Sequence, residues 1–277
     1  MHEIARLLFA GVLAIFGVSL VFMAVARPAL PARVARYGPV LRFLGRWMYW
    51  WAAPLVRWLD RRGFGANHVT WLGFGVTTVA AVFAGQGWWG LAGLALTFGG
   101  LCDIVDGELA RRQGAVADSG AFLDSTLDRL SELALFGGMA AGFTTRFGAY
   151  WAYAAVAASI LVSYARARGE GLGVTCPHGG MERPHRILVL MLTMLSSTLF
   201  LEAWAAPAAE AACGIVAVGA GATAIRRMSG IWSELRRREA LAKAPPTVIA
   251  TVPPPQVQAA ARGRAGPAAP PVRSGVR

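Results

Sequence analysis

Apolar residues run along this chain in long blocks, at 4–26, 67–86, 88–109, 121–143, 148–165, 186–204 and 207–225, parted by short segments rich in glycine, arginine and acids. Each block approaches the roughly 20 residues that a helix needs to cross a bilayer. The pattern therefore predicts an all-α polytopic membrane protein whose core is the bilayer span itself, with an N-terminal anchor helix within 1–30 and a six-helix core over 67–230.

Segment 33–62 breaks the pattern. Its arginines, at 33, 36, 42, 46, 57, 61 and 62, interleave with Leu41, Phe43, Leu44, Trp47, Met48, Tyr49, Trp50, Trp51, Leu55 and Trp58. A basic helix with Trp and Leu on its other face lies in the headgroup layer. The alternative, a further span made of 43–59, would carry Arg46 and Arg57 into the membrane, where charge is costly. Gly63-Phe64-Gly65-Ala66 then interrupts the helix, and Asn67 stands where an N-cap for the next span is expected. At the other end, 244–277 is Pro/Ala-rich, basic and aperiodic, and is expected to be a disordered tail.

Composition agrees: 56% of residues are hydrophobic and only 15% charged, too apolar for an ordinary soluble domain. The net charge of +12 raises the question of nucleic acid. With the first helix running outside to inside, however, every Lys and Arg except Arg6 and Arg146 falls on inner segments. That is the positive-inside pattern, with the N-terminus outside and the C-terminus inside, and it leaves no nucleic-acid footprint to explain. Ala24-Val25-Ala26 resembles a signal-peptide cleavage site, but the apolar run before it is too long. Cys102, Cys176 and Cys213 show no disulfide framework, and Cys176 with His178 is a lone pair in a Pro/Gly loop rather than a metal site.

The candidate chemistry lies in four acids beside these apolar blocks. Asp103 and Asp106 are three apart, Asp124 and Asp128 four apart, so each pair shares a helix face and the two pairs can converge. The turn at 113–119 brings both to one membrane level, and Gly99, Gly100 and Gly107 permit close packing of the first helix. Carboxylates at membrane depth normally face an ion, a partner charge or a polar cavity. In outline this is a divalent-metal site. Arg166, Arg168, Arg183 and Arg186 gather at two helix ends on the same side, either as phosphate-binding forks or as positive-inside anchors.

The run Asp103-x2-Asp106-Gly107-x2-Ala110-Arg111-x8-Gly120-x3-Asp124-x3-Asp128 resembles the complete signature of the CDP-alcohol phosphatidyltransferase family. The resemblance covers about 35–230 and implies six core helices preceded by an interfacial helix, a cytosol-facing site open sideways to lipid, and frequently a homodimer. It implies that CDP-diacylglycerol donates a phosphatidyl group to an alcohol and CMP leaves. Asp103, Asp106 and Asp124 would hold Mg2+ or Mn2+, two ions, with Asp128 joining them or acting as the base. Gly107, Ala110 and Gly120 would leave room for the nucleotide, and Arg111 would balance phosphate charge. Asn67 and Thr70 resemble the family's Asn-x-x-Thr segment near the nucleotide, a reading that competes with the helix cap.

Tyr164-Ala165-Arg166-Ala167-Arg168 with Met181-Glu182-Arg183-Pro184-x-Arg186 is similar to the branch that makes phosphatidylinositol phosphate or archaeal inositol lipids. That implies a phosphorylated polyol acceptor, inositol 1-phosphate, in a pocket of Arg166, Arg168, Arg183 and Arg186; glycerol 3-phosphate also fits such a pocket. The expected location is a bacterial inner membrane. The rival of a different class is an ion-coupled transporter, which needs access from both faces.

Overall fold

A computed structural model describes residues 34–35, 37–115, 117–175, 180–198 and 204–243, with scattered positions between 7 and 25. The described residues are all-α: α1 Pro39–Arg61, α2 Ala66–Gly85, α3 Trp89–Arg112, α4 Asp118–Gly142, α5 Arg146–Gly171, α6 Arg183–Ser196 and α7 Ala205–Lys243. The continuous 4–26 helix, the 244–277 tail and the Cys176–His178 loop fall mainly or wholly outside these residues.

Helix α1 opens with Pro39 in its first turn, where the missing N–H leaves no bond unmade and the fixed φ suits the helix. It buries Ala52, Val56 and Leu59 against Val69 of α2 and Val105 and Leu109 of α3, while Trp51 and Trp58 face outward. Among the described residues four helices, α2, α3, α5 and α7, are long and apolar enough to cross a membrane. The 43–59 alternative is not among them, nor are α4, which opens on the acids, and α6, with its 14 residues.

Apolar blocks located the helices better than their ends. α5 continues to Gly171 and α7 to Lys243, well past the expected 165 and 225. Charge ends an apolar block but not a helix, and no proline interrupts either extension. The expected span over 186–204 is a helix only to Ser196, with 199–203 outside the described residues. Asn67 is not the cap of α2: Gly65 holds that position, with Asn67 already inside the first turn.

Small residues let the helices meet closely, as membrane packing favours. A Cβ on Gly138 of α4 would overlap the Ala81 backbone of α2, and one on Gly93 of α3 would sit 2.8 Å from the Leu195 nitrogen of α6. Gly99 faces Thr77 in the same way, whereas Gly100, expected to serve packing too, faces open space. The central cluster draws Ala80 and Ala84 from α2, Leu96 from α3, Leu135 and Met139 from α4, Ala152 from α5, Leu190 and Met194 from α6, and Cys213 and Val216 from α7. Gly87, at φ 74°, makes the tight α2–α3 turn and Gly114, at φ 62°, ends α3, conformations that cost glycine little. The starts of α2, α4 and α6 and the ends of α3 and α5 consequently share one side.

Candidate active site

That side holds the acids. Carboxylate oxygens of Asp103, Asp124 and Asp128 lie within 4.8 Å of one another. Asp106, one turn along α3 and 6% exposed, lines the same small pocket, together with Thr70, Thr77 and Arg183. Like charges so close repel unless a cation joins them. Hard divalent ions bind carboxylate oxygen at about 2.0–2.6 Å, so oxygens this far apart can share one ion. The donor set, oxygen-only and anionic, fits a divalent metal.

A guanidinium fork already spans two members of the cluster. Arg183, at the start of α6, donates through Nη1 to Asp103 Oδ1 and lies through Nη2 against Asp128 Oδ1, each at 2.8 Å. From there a cavity of about 470 Å3 opens, lined by residues of all seven described helices. Its apolar wall includes Leu41, Leu44, Leu96 and Met191; its polar wall carries Asp103, Asp124, Asp128, Ser163, Arg166, Arg183 and Arg227. One space thus joins the acid cluster to an arginine-bearing surface and an apolar one, as an amphiphilic phosphate-bearing ligand requires.

The four arginines grouped by position have four different environments. Arg183 reaches the acids. Arg166 lines the cavity and pairs with Glu170 at 2.8 Å. Arg168 is exposed on the last turns of α5 and is not part of the cavity lining. Arg186 is 1% exposed: Nε and Nη2 both donate to Glu132 Oε1, at 3.2 and 2.6 Å, and Nη1 donates to the Met181 carbonyl. Arg186 lines the cavity, with most of its fork bound to protein. The reason is Glu132, one turn beyond Asp128 on α4, a buried acid that needs a counter-charge.

Around the motif, Gly107 and Ala110 are half-buried on α3, and Arg111 is paired with Glu108 at 2.5 Å. Asn67 faces Gly120: a Cβ added there would lie 3.6 Å from Asn67 Oδ1. The α2 and α4 N-termini thus lie close together, with Asn67 within van der Waals reach of position 120. Two side chains of this region escaped the sequence reading. Arg227 of α7, 5% exposed, lines the cavity while donating to Glu182 at 3.2 Å and to the Val162 carbonyl at 3.1 Å. The basic excess of the inner side accounts for its charge, and its place at the inner end of the last apolar block is the sequence signal that sets it apart. Glu132 followed Asp128 at the same four-residue spacing.

Fold and site define a helical integral membrane protein with a carboxylate metal site opening into an arginine-lined cavity. The model of the CDP-alcohol phosphatidyltransferase family matches residues 64–223, and the chain belongs to that family. It is accordingly an enzyme of phospholipid synthesis rather than an ion-coupled transporter. It is 35% identical over 178 residues to the archaetidylinositol phosphate synthase of Methanothermobacter thermautotrophicus, covering 64% of this chain and 88% of that one. With the phosphatidylinositol phosphate synthase of Streptomyces avermitilis it shares 34% over 199 residues, covering 68% and 80%. The crystal structure of Mycobacterium tuberculosis phosphatidylinositol phosphate synthase with CDP-DAG bound superposes with TM-score 0.61 at 28% identity, covering 66% of this chain and 94% of that one. The same enzyme has also been solved in complex with manganese and citrate, matching at TM-score 0.61 and 28% identity over 66% and 89% of the two chains.

Proposed function

We propose that this chain transfers the phosphatidyl group of CDP-diacylglycerol to inositol 1-phosphate and releases CMP. The observation that carries the reading is the continuity of acid cluster and arginine-lined cavity, hinged on Arg183. The inositol-lipid synthases among its relatives, and the CDP-DAG held by its structural neighbour, support the choice of substrates.

In the reaction an acceptor hydroxyl oxygen bonds to the phosphatidyl phosphorus, the bond from that phosphorus to CMP breaks, and CMP leaves with the electron pair. Asp103, Asp106, Asp124 and Asp128 would hold two Mg2+ or Mn2+ ions, which neutralise the diphosphate and the charge growing on CMP. Asp128 also takes the acceptor's proton: Arg183 engages Oδ1, which leaves the second carboxylate oxygen for the hydroxyl. Gly107, Ala110 and Gly120 give the nucleotide access to backbone, with Asn67, Thr70 and Arg111 beside it. Arg166 and Arg183 receive the acceptor phosphate, in a cavity that Arg186 and Arg227 also line. The apolar wall suits the diacyl part of the donor.

The domain reading accompanies this proposal: an anchor within 1–30, an interfacial helix within 33–62, the catalytic core over 67–230 and a tail from 244. The active side faces the cytoplasm of a bacterial inner membrane, since the basic residues lie on it. The test is CMP release by the purified chain in CDP-diacylglycerol micelles with Mg2+, comparing inositol 1-phosphate, glycerol 3-phosphate, free inositol and serine. Release dependent on inositol 1-phosphate is expected. Release with glycerol 3-phosphate alone would replace the acceptor, and none with any acceptor would overturn the reaction.

A further inference from the structure

Helices α4 and α6 face each other through a ladder of two rungs. Asp128 and Glu132 are four apart on α4, Arg183 and Arg186 three apart on α6, so each pair presents its charges on one face. The outer rung, Arg183 with Asp128 and Asp103, borders the cavity, its side chains 28%, 20% and 40% exposed. The inner rung, Arg186 with Glu132, is only 2% and 3% exposed. Both line the cavity, but the polar atoms of the inner rung are bound to each other and to the Met181 carbonyl, whereas the outer rung is the more open of the two.

A buried ion pair is a weak source of net stability, since desolvation offsets much of its attraction; its best-attested use is to specify register. α6 has 14 residues. Its far end is set by Met194 and Leu195 packed closely on Gly93 of α3, whereas its first turn, which carries Arg183, is held by polar ties. A slip of one turn, about 5.4 Å, would carry Arg183 away from both of its carboxylates. The start of α6 is tied down on its other side as well: the Met181 N–H donates to Thr223 Oγ1 at 3.0 Å, and Arg227 holds Glu182 at 3.2 Å. Arg186 joins the two anchorages, because Nη1 donates to the Met181 carbonyl while Nε and Nη2 bind Glu132.

We infer that Glu132 is a positioning residue for the transfer reaction: by holding Arg186 in the interior it sets the register of the first turn of α6 and so places Arg183 across Asp103 and Asp128. The inference rests on the reading of Arg183 as an acceptor-phosphate residue. Arg186 then acts through Arg183 rather than on phosphate directly.

The experiment is a cycle in the full-length chain, measuring CMP release at varied inositol 1-phosphate and varied CDP-diacylglycerol. The variants are Arg183→Ala, the double replacement Glu132→Met with Arg186→Met, and all three together. Buried pairs exchanged for apolar residues of similar volume often retain the fold. Arg183→Ala is expected to raise the acceptor KM about tenfold or more, in line with a lost charged hydrogen bond, with the CDP-diacylglycerol KM within about twofold. The double replacement is expected to do the same in the parent and to add nothing in the Arg183→Ala background, the non-additivity of groups acting through one another. An unchanged acceptor KM, or an equal rise in both backgrounds, would overturn the inference. If Arg183→Ala leaves the acceptor KM unchanged, the pocket reading falls and takes the inference with it. Should the double replacement not fold, Glu132→Gln, which keeps an acceptor oxygen for Arg186 but removes the charge, enters the same cycle with the same criteria.

Discussion

The carboxylate half of the site and its arginine half are built in different ways. Asp103 to Asp128 come from two consecutive helices joined by a short turn, and three of the four acids meet at one point. Arg166, Arg183 and Arg227 come from α5, α6 and α7, and each is paired with an acid: Glu170, Asp103 and Asp128, and Glu182. For the acids, spacing along rigid neighbouring helices dictates convergence. For the arginines, spacing dictates only the side of the membrane, and the counter-charge each one meets decides its task. Arg183 and Arg186 stand three residues apart and both line the cavity, yet one reaches the acid cluster and the other is buried against Glu132.

The sharpest way to break this contrast is at Asp128, where the halves touch. Asp128→Asn keeps the shape of the side chain and a hydrogen-bond acceptor for Arg183 but cannot take a proton. Turnover is expected to fall by about 10²–10⁴, the range for loss of a general base, while CDP-diacylglycerol binding, measured by equilibrium filtration in micelles, stays. Normal CMP release from this variant would remove Asp128 from the proton-accepting role and leave it a metal ligand only.

That the acid half was legible in advance follows from its locality. A helix places i, i+3 and i+4 on one face whatever it packs against, so Asp103, Asp106, Asp124 and Asp128 needed only the correct helices and a correct turn. The arginine half needed information that the local pattern does not hold. Glu132 continues the four-residue spacing of Asp124 and Asp128, but its partner, Arg186, arrives 54 residues later, beyond the reach of any local pattern. Arg227 was hidden by a real signal, the basic excess of the inner side, which explains its charge without its location. The helix ends beyond 165 and 225 were missed because apolarity reports the bilayer, whereas a helix continues into water until a breaker stops it.

A second prediction tests whether pairing, not position, selects the arginines. Arg227→Lys retains the charge against Glu182 but loses the fork that also reaches the Val162 carbonyl; a lysine does not replace a forked arginine. The acceptor KM is expected to rise about tenfold, on the scale of a charge-assisted hydrogen bond. Arg168→Lys, at an exposed position outside the cavity lining, is expected to leave both KM values within about twofold, as for most surface changes. Equal effects from the two would restore the grouping by sequence position.

The smallest expected effect concerns Asn67, where the same side chain had a structural and a functional explanation. As a helix cap its replacement by alanine would cost about 1 kcal/mol of stability and leave substrate constants alone. Because Gly65 occupies the cap and Asn67 faces Gly120 at the start of α4, the opposite outcome is expected. Asn67→Ala should melt with the parent in detergent, and its CDP-diacylglycerol KM should rise about three- to tenfold, the loss of one neutral hydrogen bond, with the acceptor KM unchanged. The direction of the split matters more than its size. A rise confined to the donor places Asn67 with the acid half, at the nucleotide. A rise confined to the acceptor would carry it to the arginine half, and a fall in melting temperature with neither KM altered would return it to the backbone of α2.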